Sequence, residues 1–281
     1  MLIHWPLVAS TACQRAGLGL ILAALAANVA FGAALPVDVA ALAALTLLCA
    51  GGVASIFHLQ RPARFFNAFS NPKSHLTQEG AITPLLGAAL LVSALDGLAF
   101  DLGAARPAAH AAVAVLALAF LVCTGLAYQM KSRPAWNTPY VLALFLLTAA
   151  AAGCVGAALL AAVCASPALG ALSSCAAVSC IACLAVQGGY VARMKRVGYR
   201  TAYDAFARPY RGAALTWLVC GISATALSLV AAAAPDAAAA LLAFAWLVCI
   251  ASVAAWTALF FKGAHKVKMF PMYAADLNLD M

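Results

Sequence analysis

The 281-residue sequence contains little charge. Charged residues make up 9% of it and Glu79 is its only glutamate, whereas apolar residues make up 67% and the mean hydropathy is +1.01. Soluble domains carry about 25% charged and about 45–50% apolar residues. The sixteen Lys and Arg residues lie between apolar runs and form no basic stripe of the kind that binds nucleic acid. The composition therefore excludes a soluble domain and indicates an integral membrane protein.

Eight apolar runs divide the sequence, and each is long enough to cross about 30 Å of hydrocarbon as a helix. They cover residues 7–35, 37–59, 81–100, 108–130, 139–165, 168–191, 212–234 and 237–261. Only helices satisfy backbone polar groups within a single span. We therefore expect an all-α integral membrane protein whose residues 1–281 form one polytopic domain, with eight transmembrane helices arranged as two packed four-helix bundles.

The basic residues indicate how the spans are oriented. With eight spans, both termini share one side with the loops that follow the second, fourth and sixth spans. Fifteen of the sixteen Lys and Arg residues fall on that side, and only Arg106 falls on the other. Loops rich in Lys and Arg stay in the cytoplasm. This bias predicts a multi-pass protein of the bacterial inner membrane with both termini in the cytoplasm.

Neither the cysteines nor the histidines form a convincing metal or haem site. Cys175, Cys180 and Cys183 have a spacing that resembles an iron–sulfur motif, but a helix separates the outer two by more than two turns. Packing is the favoured role for all ten cysteines. Among the five histidines only His58 and His110 border spans, and they border opposite faces. We therefore expect no metal, no haem and no covalently bound cofactor in this chain.

Polar residues collect near the predicted cytoplasmic face. Gln14 and Arg15 lie in the first span, His58 and Arg61 at the end of the second, and Glu79 before the third. Ionisable groups at a membrane are functional candidates. A histidine and a carboxylate could bind the ring oxygens of a quinol and take its protons. The alternative is that His58 and Arg61 reach toward lipid headgroups while Glu79 pairs with Arg15 or Arg61.

The residues around the second and third spans resemble the DMSO reductase anchor subunit family. The resemblance rests on the stretch Ala-Ser-Ile-Phe-His-Leu at 54–59, on the segment 61–69 and on Thr77-Gln78-Glu79. His4-Trp5-Pro6-Leu7 at the start, Gln14 and the segment 134–139 are also similar. The similarity in architecture covers the whole chain, and it is specific over the first half.

The resemblance implies a membrane anchor, non-catalytic alone, within a heterotrimer used in anaerobic respiratory electron transport. Its partners would be a molybdopterin catalytic subunit and a subunit with [4Fe-4S] clusters, and menaquinol would be its exchangeable substrate. His58 matches the family's quinol-linked histidine, and Glu79 matches its acidic residue at the third helix. Arg61, Gln14 and Arg15 are added as quinol-binding or proton-transfer candidates from their depth and chemistry.

Other interpretations remain open on the sequence alone. Enterobacterial members of the family place this face in the periplasm, whereas the basic loops place it in the cytoplasm. A cytoplasmic, quinone-reducing complex of the sulfite-oxidising type is therefore an alternative. A small-solute transporter is another, although no convincing internal repeat is found and the middles of the spans carry almost no charge. A purely structural anchor is a third.

Overall fold

The computed structural model describes residues 5–57, 71–199, 204 and 210–263. Within these ranges the chain forms long α-helices and no β-strand, and eight of the helices are long and apolar enough to span a membrane. These are α1 (Trp5–Phe31), α2 (Val37–Ile56), α3 (His75–Leu95), α4 (Arg106–Ala127), α5 (Pro139–Val163), α6 (Leu169–Val197), α7 (Arg211–Ala233) and α8 (Ala238–Lys262). Short 3-10 turns at Gly103–Ala105 and Pro235–Ala237 precede α4 and α8. The predicted all-α membrane fold is confirmed.

The first helix ends earlier than its apolar run predicts. The run continues to Leu35, but α1 stops at Phe31 because the backbone leaves the helical region at Gly32 (φ +57°) and Ala34 (φ +51°). Asn28 then holds the turn, because its side-chain amide donates to Leu35 O at 2.9 Å and its Oδ1 accepts from Leu35 N. Apolar loop residues cannot be separated from a helix by hydropathy alone.

Two other helices extend beyond the predicted bounds because their ends are polar. α3 begins at His75, six residues before the apolar run, so Glu79 lies inside its first turns rather than ahead of the helix. α6 continues through a basic last turn to Val197 and ends at Gly198, whose left-handed backbone (φ +77°) closes the helix. A glycine in this conformation after the last turn is a common helix terminator.

The eight helices form two halves of four that repeat the same arrangement. Each helix of the first half begins about 134 residues before its counterpart in the second half. In each half the first helix packs on the second, the second on the third and the third on the fourth, and α1 packs on α5 between the halves. The structure therefore contains an internal repeat that the sequence comparison above did not find. Because each half has four spans, the two halves have the same orientation in the membrane.

The crossing of α1 and α5 is held by two glycines. A Cβ atom at Gly19 would lie 2.0 Å from Ala149 O, and one at Gly153 would lie 2.2 Å from Gly19 O. Real Cβ atoms do not approach backbone atoms so closely, so only glycine permits this contact. Small residues drive such helix packing in lipid, where no hydrophobic effect operates between helices. The glycine pair therefore sets the central interface between the halves.

Candidate functional site

Glu79 lies where the start of α3 meets the end of α4. Its side chain is partly buried, and Thr124 on α4 lies next to its carboxyl group. The one O–H of Thr124 can donate either to Phe120 O, 2.9 Å away, or to the Glu79 carboxylate. Within the described ranges no Lys, Arg or His nitrogen lies within 4 Å of this carboxylate. In that part of the chain, Glu79 is therefore not neutralised by an ion pair with Arg15.

A second polar group lies beside Glu79. The Gln78 side chain joins three neighbours: its Oε1 is 3.0 Å from His75 Nδ1, its Nε2 donates to Pro72 O at 3.3 Å, and Cys123 Sγ lies 3.9 Å from Oε1. Thr83 also donates to Glu79 O at 2.8 Å, within α3. The polar start of α3 is thus held in place by local hydrogen bonds, which fixes the direction of its side chains.

A polar cavity of about 360 Å³ opens at the same membrane face, between the end of α4 and the start of α5. Gln129, Asn137 and Thr138 supply its polar wall, and Leu142 supplies an apolar one. Gln129 Nε2 donates to Thr138 O at 3.0 Å, which ties the end of α4 to the start of α5. The cavity could hold a small polar ring close to the membrane surface.

Arg15 is buried in the core between α1, α5 and α8, with 3% of its surface exposed. Its Nε donates to Thr11 O at 2.8 Å, Nη1 donates to Thr148 Oγ1 at 3.0 Å, and Nη2 donates to Thr257 Oγ1. Among the described residues no carboxylate lies within 4 Å of its guanidinium. Arg15 is therefore a buried cation that neutral oxygens satisfy, and it joins both halves of the protein.

An aromatic pair leads from Arg15 toward the α3–α4 face. The guanidinium carbon lies 4.8 Å from the ring centroid of Phe145, and Phe145 stacks on Tyr128 with centroids 5.2 Å apart. Tyr128 directly follows α4. Burial raises the pKa of Tyr128, the charge of Glu79 raises it further, and the charge of Arg15 opposes both. Tyr128 therefore stays a neutral phenol within the electrostatic reach of both residues.

The structure does not bring all five predicted site residues together. Gln14 packs toward α2, where a Cβ on Gly51 would come within 3.0 Å of its Cγ, whereas Arg15 points toward α5 and α8. His58 and Arg61 lie outside the described residues. The charges of Glu79 and Arg15 both reach Tyr128. The contribution of each residue to quinol binding therefore stays a prediction.

Sequence reasoning missed Thr148, Thr257 and Tyr128. Threonine is common in apolar helices, and nothing in the spacing of Thr148 or Thr257 marks it as a partner of Arg15. The signal that could have found them is physical, because a buried guanidinium needs acceptors for its N–H groups. A search of neighbouring spans for hydroxyls at the depth of Arg15 would have identified them.

The described part of the chain contains no group of three or more His, Cys, Asp or Glu side chains that could hold a metal ion. All ten cysteines are free thiols, and Cys180, Cys183 and Cys249 are buried between helices of the second half. In this region they lie among apolar residues of the core. The burial of these three agrees with the packing role that the sequence favoured, whereas Cys49 and Cys164 are exposed.

On the opposite membrane face, Arg106 joins two loop aspartates. It forms ion pairs with Asp96 and with Asp101, the latter at 2.8 Å. Asp96 also accepts a hydrogen bond from Leu102 N at 3.0 Å. The hydrogen bond from Arg106, aided by the one from Leu102, holds the pKa of Asp96 below its usual range. These aspartates therefore fasten the α3–α4 loop.

Taken together, the fold and these polar residues define a polytopic membrane protein with two four-helix halves. A family model described as DMSO reductase anchor subunit (DmsC) matches residues 2–272. The chain belongs to this family. A search of curated proteins found no match. Family membership makes the chain a membrane anchor subunit of a DMSO reductase-type complex, associated with catalytic and iron–sulfur subunits of a molybdoenzyme.

Proposed function

We propose that this anchor subunit binds menaquinol at the face where α3 begins and α4 ends. The observation that carries the proposal is Glu79, a carboxylate at membrane depth with no cation within 4 Å in the described part of the chain. An ionisable group in a bilayer is energetically costly, and such groups usually have a function. The neighbouring Gln78, Thr124 and the polar cavity lined by Gln129 supply further hydrogen-bonding groups.

Quinol oxidation needs a proton acceptor and an electron acceptor. A quinol that becomes a quinone releases two protons and two electrons. In our proposal His58 binds one ring oxygen and accepts its proton, and Glu79 accepts the proton of the other ring oxygen. Arg61 and Gln14 complete the polar surroundings of the ring. The two electrons would pass one at a time to the iron–sulfur clusters of the partner subunit, each of which accepts a single electron.

Arg15 has a different part in this proposal, because its guanidinium already donates to Thr11, Thr148 and Thr257. It positions the helices around the site rather than contacting the ring directly. Its hydrogen bonds join α1 to α5 and α8, and Phe145, which lies against its guanidinium, stacks on Tyr128 at the end of α4.

The sidedness of the complex is part of the proposal. The order of the spans in the sequence assigns fifteen of sixteen Lys and Arg residues to the side of the membrane at which α3 begins, which favours a cytoplasmic position for this side and for both termini in the inner membrane. The same bias supports a second candidate function, the anchor of a cytoplasmic complex that reduces quinone. Assays of the purified heterotrimer with quinol and with quinone distinguish the two directions.

The test compares Glu79→Gln and His58→Leu in the purified, fully assembled complex. Quinol-dependent reduction of the enzyme's substrate should fall at least about tenfold, since general acid–base groups contribute about 10²–10⁴ in rate. Reduction driven by an artificial donor to the iron–sulfur subunit should stay unchanged. Asp101→Asn, on the opposite face, is the matched control. Normal quinol turnover in both variants would refute the proposal.

A further inference from the structure

The internal repeat places a basic site in the second half where the first half has its acidic one. In the first half, the start of α3 and the end of α4 bring Glu79 and Tyr128 together. In the second half, the corresponding ends of α7 and α8 bring Tyr210 and Lys262 together, on the same membrane face. The opposite charge at the equivalent place indicates a different ligand.

The described residues provide no anion for the ammonium group of Lys262. Its Nζ atom is buried and has no hydrogen-bond partner in the described part of the chain. It lies 5.3 Å from the ring centroid of Tyr210. The face of the ring attracts a cation, but it does not replace the oxygen acceptors that the N–H groups of an ammonium require. A lysine ammonium has three donors and no acceptor, so a buried one needs oxygen atoms nearby.

The start of α7 supplies backbone N–H groups that could also bind an anion. Tyr210 precedes the helix, and the first hydrogen bond of the helix runs from Ala214 N to Tyr210 O at 3.1 Å. The N–H groups of Arg211, Gly212 and Ala213 therefore precede the helical ladder. No acidic residue lies in this first turn, and no side chain caps it. A helix start of this kind binds phosphate oxygens, and the unpartnered ammonium of Lys262 lies beside it.

The surroundings of this site are apolar and face the lipid. Leu215, Val219 and Ile222 on α7 are each at least half exposed. Between α6 and α7 an open groove of about 520 Å³ is lined by Ile181, Leu184, Ile222 and Leu229. At about 1.5 Å per residue, Ile222 lies roughly 16 Å deeper than Arg211, which is close to the length of an acyl chain.

We propose that Lys262, Arg211 and the start of α7 bind the phosphate of an anionic phospholipid, with an acyl chain lying along α7 toward the groove. The two cationic side chains and the positive end of the helix favour an anionic headgroup over a zwitterionic one. The ligand is thus a phosphodiester with an attached hydrocarbon chain. This site is separate from the proposed quinol site of the first half.

The experiment measures how much phosphatidylglycerol the purified complex binds in phosphatidylcholine nanodiscs, by native mass spectrometry and with a spin-labelled phosphatidylglycerol. We expect Lys262→Met to weaken the preference for phosphatidylglycerol about fivefold to tenfold, from the loss of one interfacial cation and its hydrogen bonds. Lys262→Arg should retain the preference, which separates loss of the charge from loss of the fold. Lys131→Met removes an exposed lysine on the same face and should change the preference for phosphatidylglycerol by less than twofold.

Three results would overturn the proposal. The first is equal retention of phosphatidylglycerol by the wild type and Lys262→Met. The second is an equal loss in Lys262→Met and Lys131→Met, because binding would then be a general effect of surface charge. The third is binding of inorganic phosphate, dependent on Lys262 and as tight as that of phosphatidylglycerol, because the site would then belong to a soluble anion.

Discussion

The Arg15 guanidinium donates to Thr148 Oγ1 at 3.0 Å, and this hydrogen bond joins α1 of the first half to α5 of the second. The Thr148 hydroxyl in turn donates a hydrogen bond to Leu144 O at 2.7 Å. The threonine is therefore satisfied without the arginine, whereas the arginine is not satisfied without the threonine. This asymmetry lets the role of each partner be measured separately.

We expect Thr148→Val to cost about 1–3 kcal/mol of stability, because a buried guanidinium N–H loses its acceptor. In an Arg15→Met background the same change should cost almost nothing, since no donor remains to be satisfied. Thermal unfolding of the four proteins of this double-mutant cycle gives the coupling energy directly.

Thr46→Val is the matched control for that cycle. Thr46 makes the same local bond, to Leu42 O at 2.8 Å, but it is exposed, and the Arg15 guanidinium donates to other residues. Its replacement should change the unfolding temperature little in either background. A coupling energy near zero between Arg15 and Thr148 would contradict the assigned hydrogen bond.

The Gly19–Gly153 contact should tolerate no side chain. We expect Gly19→Ala or Gly153→Ala to force α1 and α5 apart and to destabilise the protein by about 1–3 kcal/mol or more, as overpacking does. Gly87→Ala is the control, because a Cβ there meets nothing within 4 Å. It should be neutral or stabilising by up to about 1 kcal/mol. Equal effects at the three positions, measured by unfolding in detergent, would show that the close crossing is wrong.

The Asp96–Arg106 pair should make stability depend on pH below about pH 4. The pKa of Asp96 is lowered in the folded protein, first by the hydrogen bond from Arg106. The stabilisation is therefore fully present above the unfolded value of 3.8 and is lost as the pH falls through the folded value. We expect Asp96→Asn to lower the unfolding temperature at pH 6 and to reduce its decline toward pH 3.

The exposed loop residue Asp236 supplies the control for this titration, because the described residues offer it no ion pair. Asp236→Asn should have the same pH dependence as the wild type. A wild-type-like pH dependence in Asp96→Asn would mean that the ion pair contributes nothing to folding.

Cys164 offers a direct test of orientation. It is exposed at the end of α5, on the face opposite Glu79. We expect a membrane-impermeant maleimide added to intact spheroplasts to label it, and Cys164→Ser to remove that labelling. Labelling that requires permeabilised membranes would place this face in the cytoplasm and reverse the proposed topology.

The apolar runs predict the eight helices because a bilayer demands about 20 apolar residues per span, and that signal is strong. Glu79 could be singled out because it is the only glutamate. The start of α3 could not be placed from the sequence, because its first turns are polar and their low hydropathy is also typical of a loop. The partners of Arg15 were missed for a different reason. Contacts between residues 15, 148 and 257 depend on how α1, α5 and α8 pack, which no local pattern encodes.

The internal repeat was also invisible in the sequence. The halves share the spacing and packing order of their helices, but at the corresponding membrane face the first half has Glu79 on α3 and the second has Lys262 on α8. Only spacing is retained, because a bilayer fixes the length of a span while accepting almost any apolar residue within it.

The most direct test is to find where quinone binds. A photoreactive menaquinone analogue should be crosslinked in the assembled complex, and the labelled peptides should be identified by mass spectrometry. We expect labels near Glu79 in α3 and near Tyr128 after α4, and we expect unmodified menaquinol to suppress them. Labels confined to α7 and α8, or labels that menaquinol fails to suppress, would contradict a quinol site in the first half.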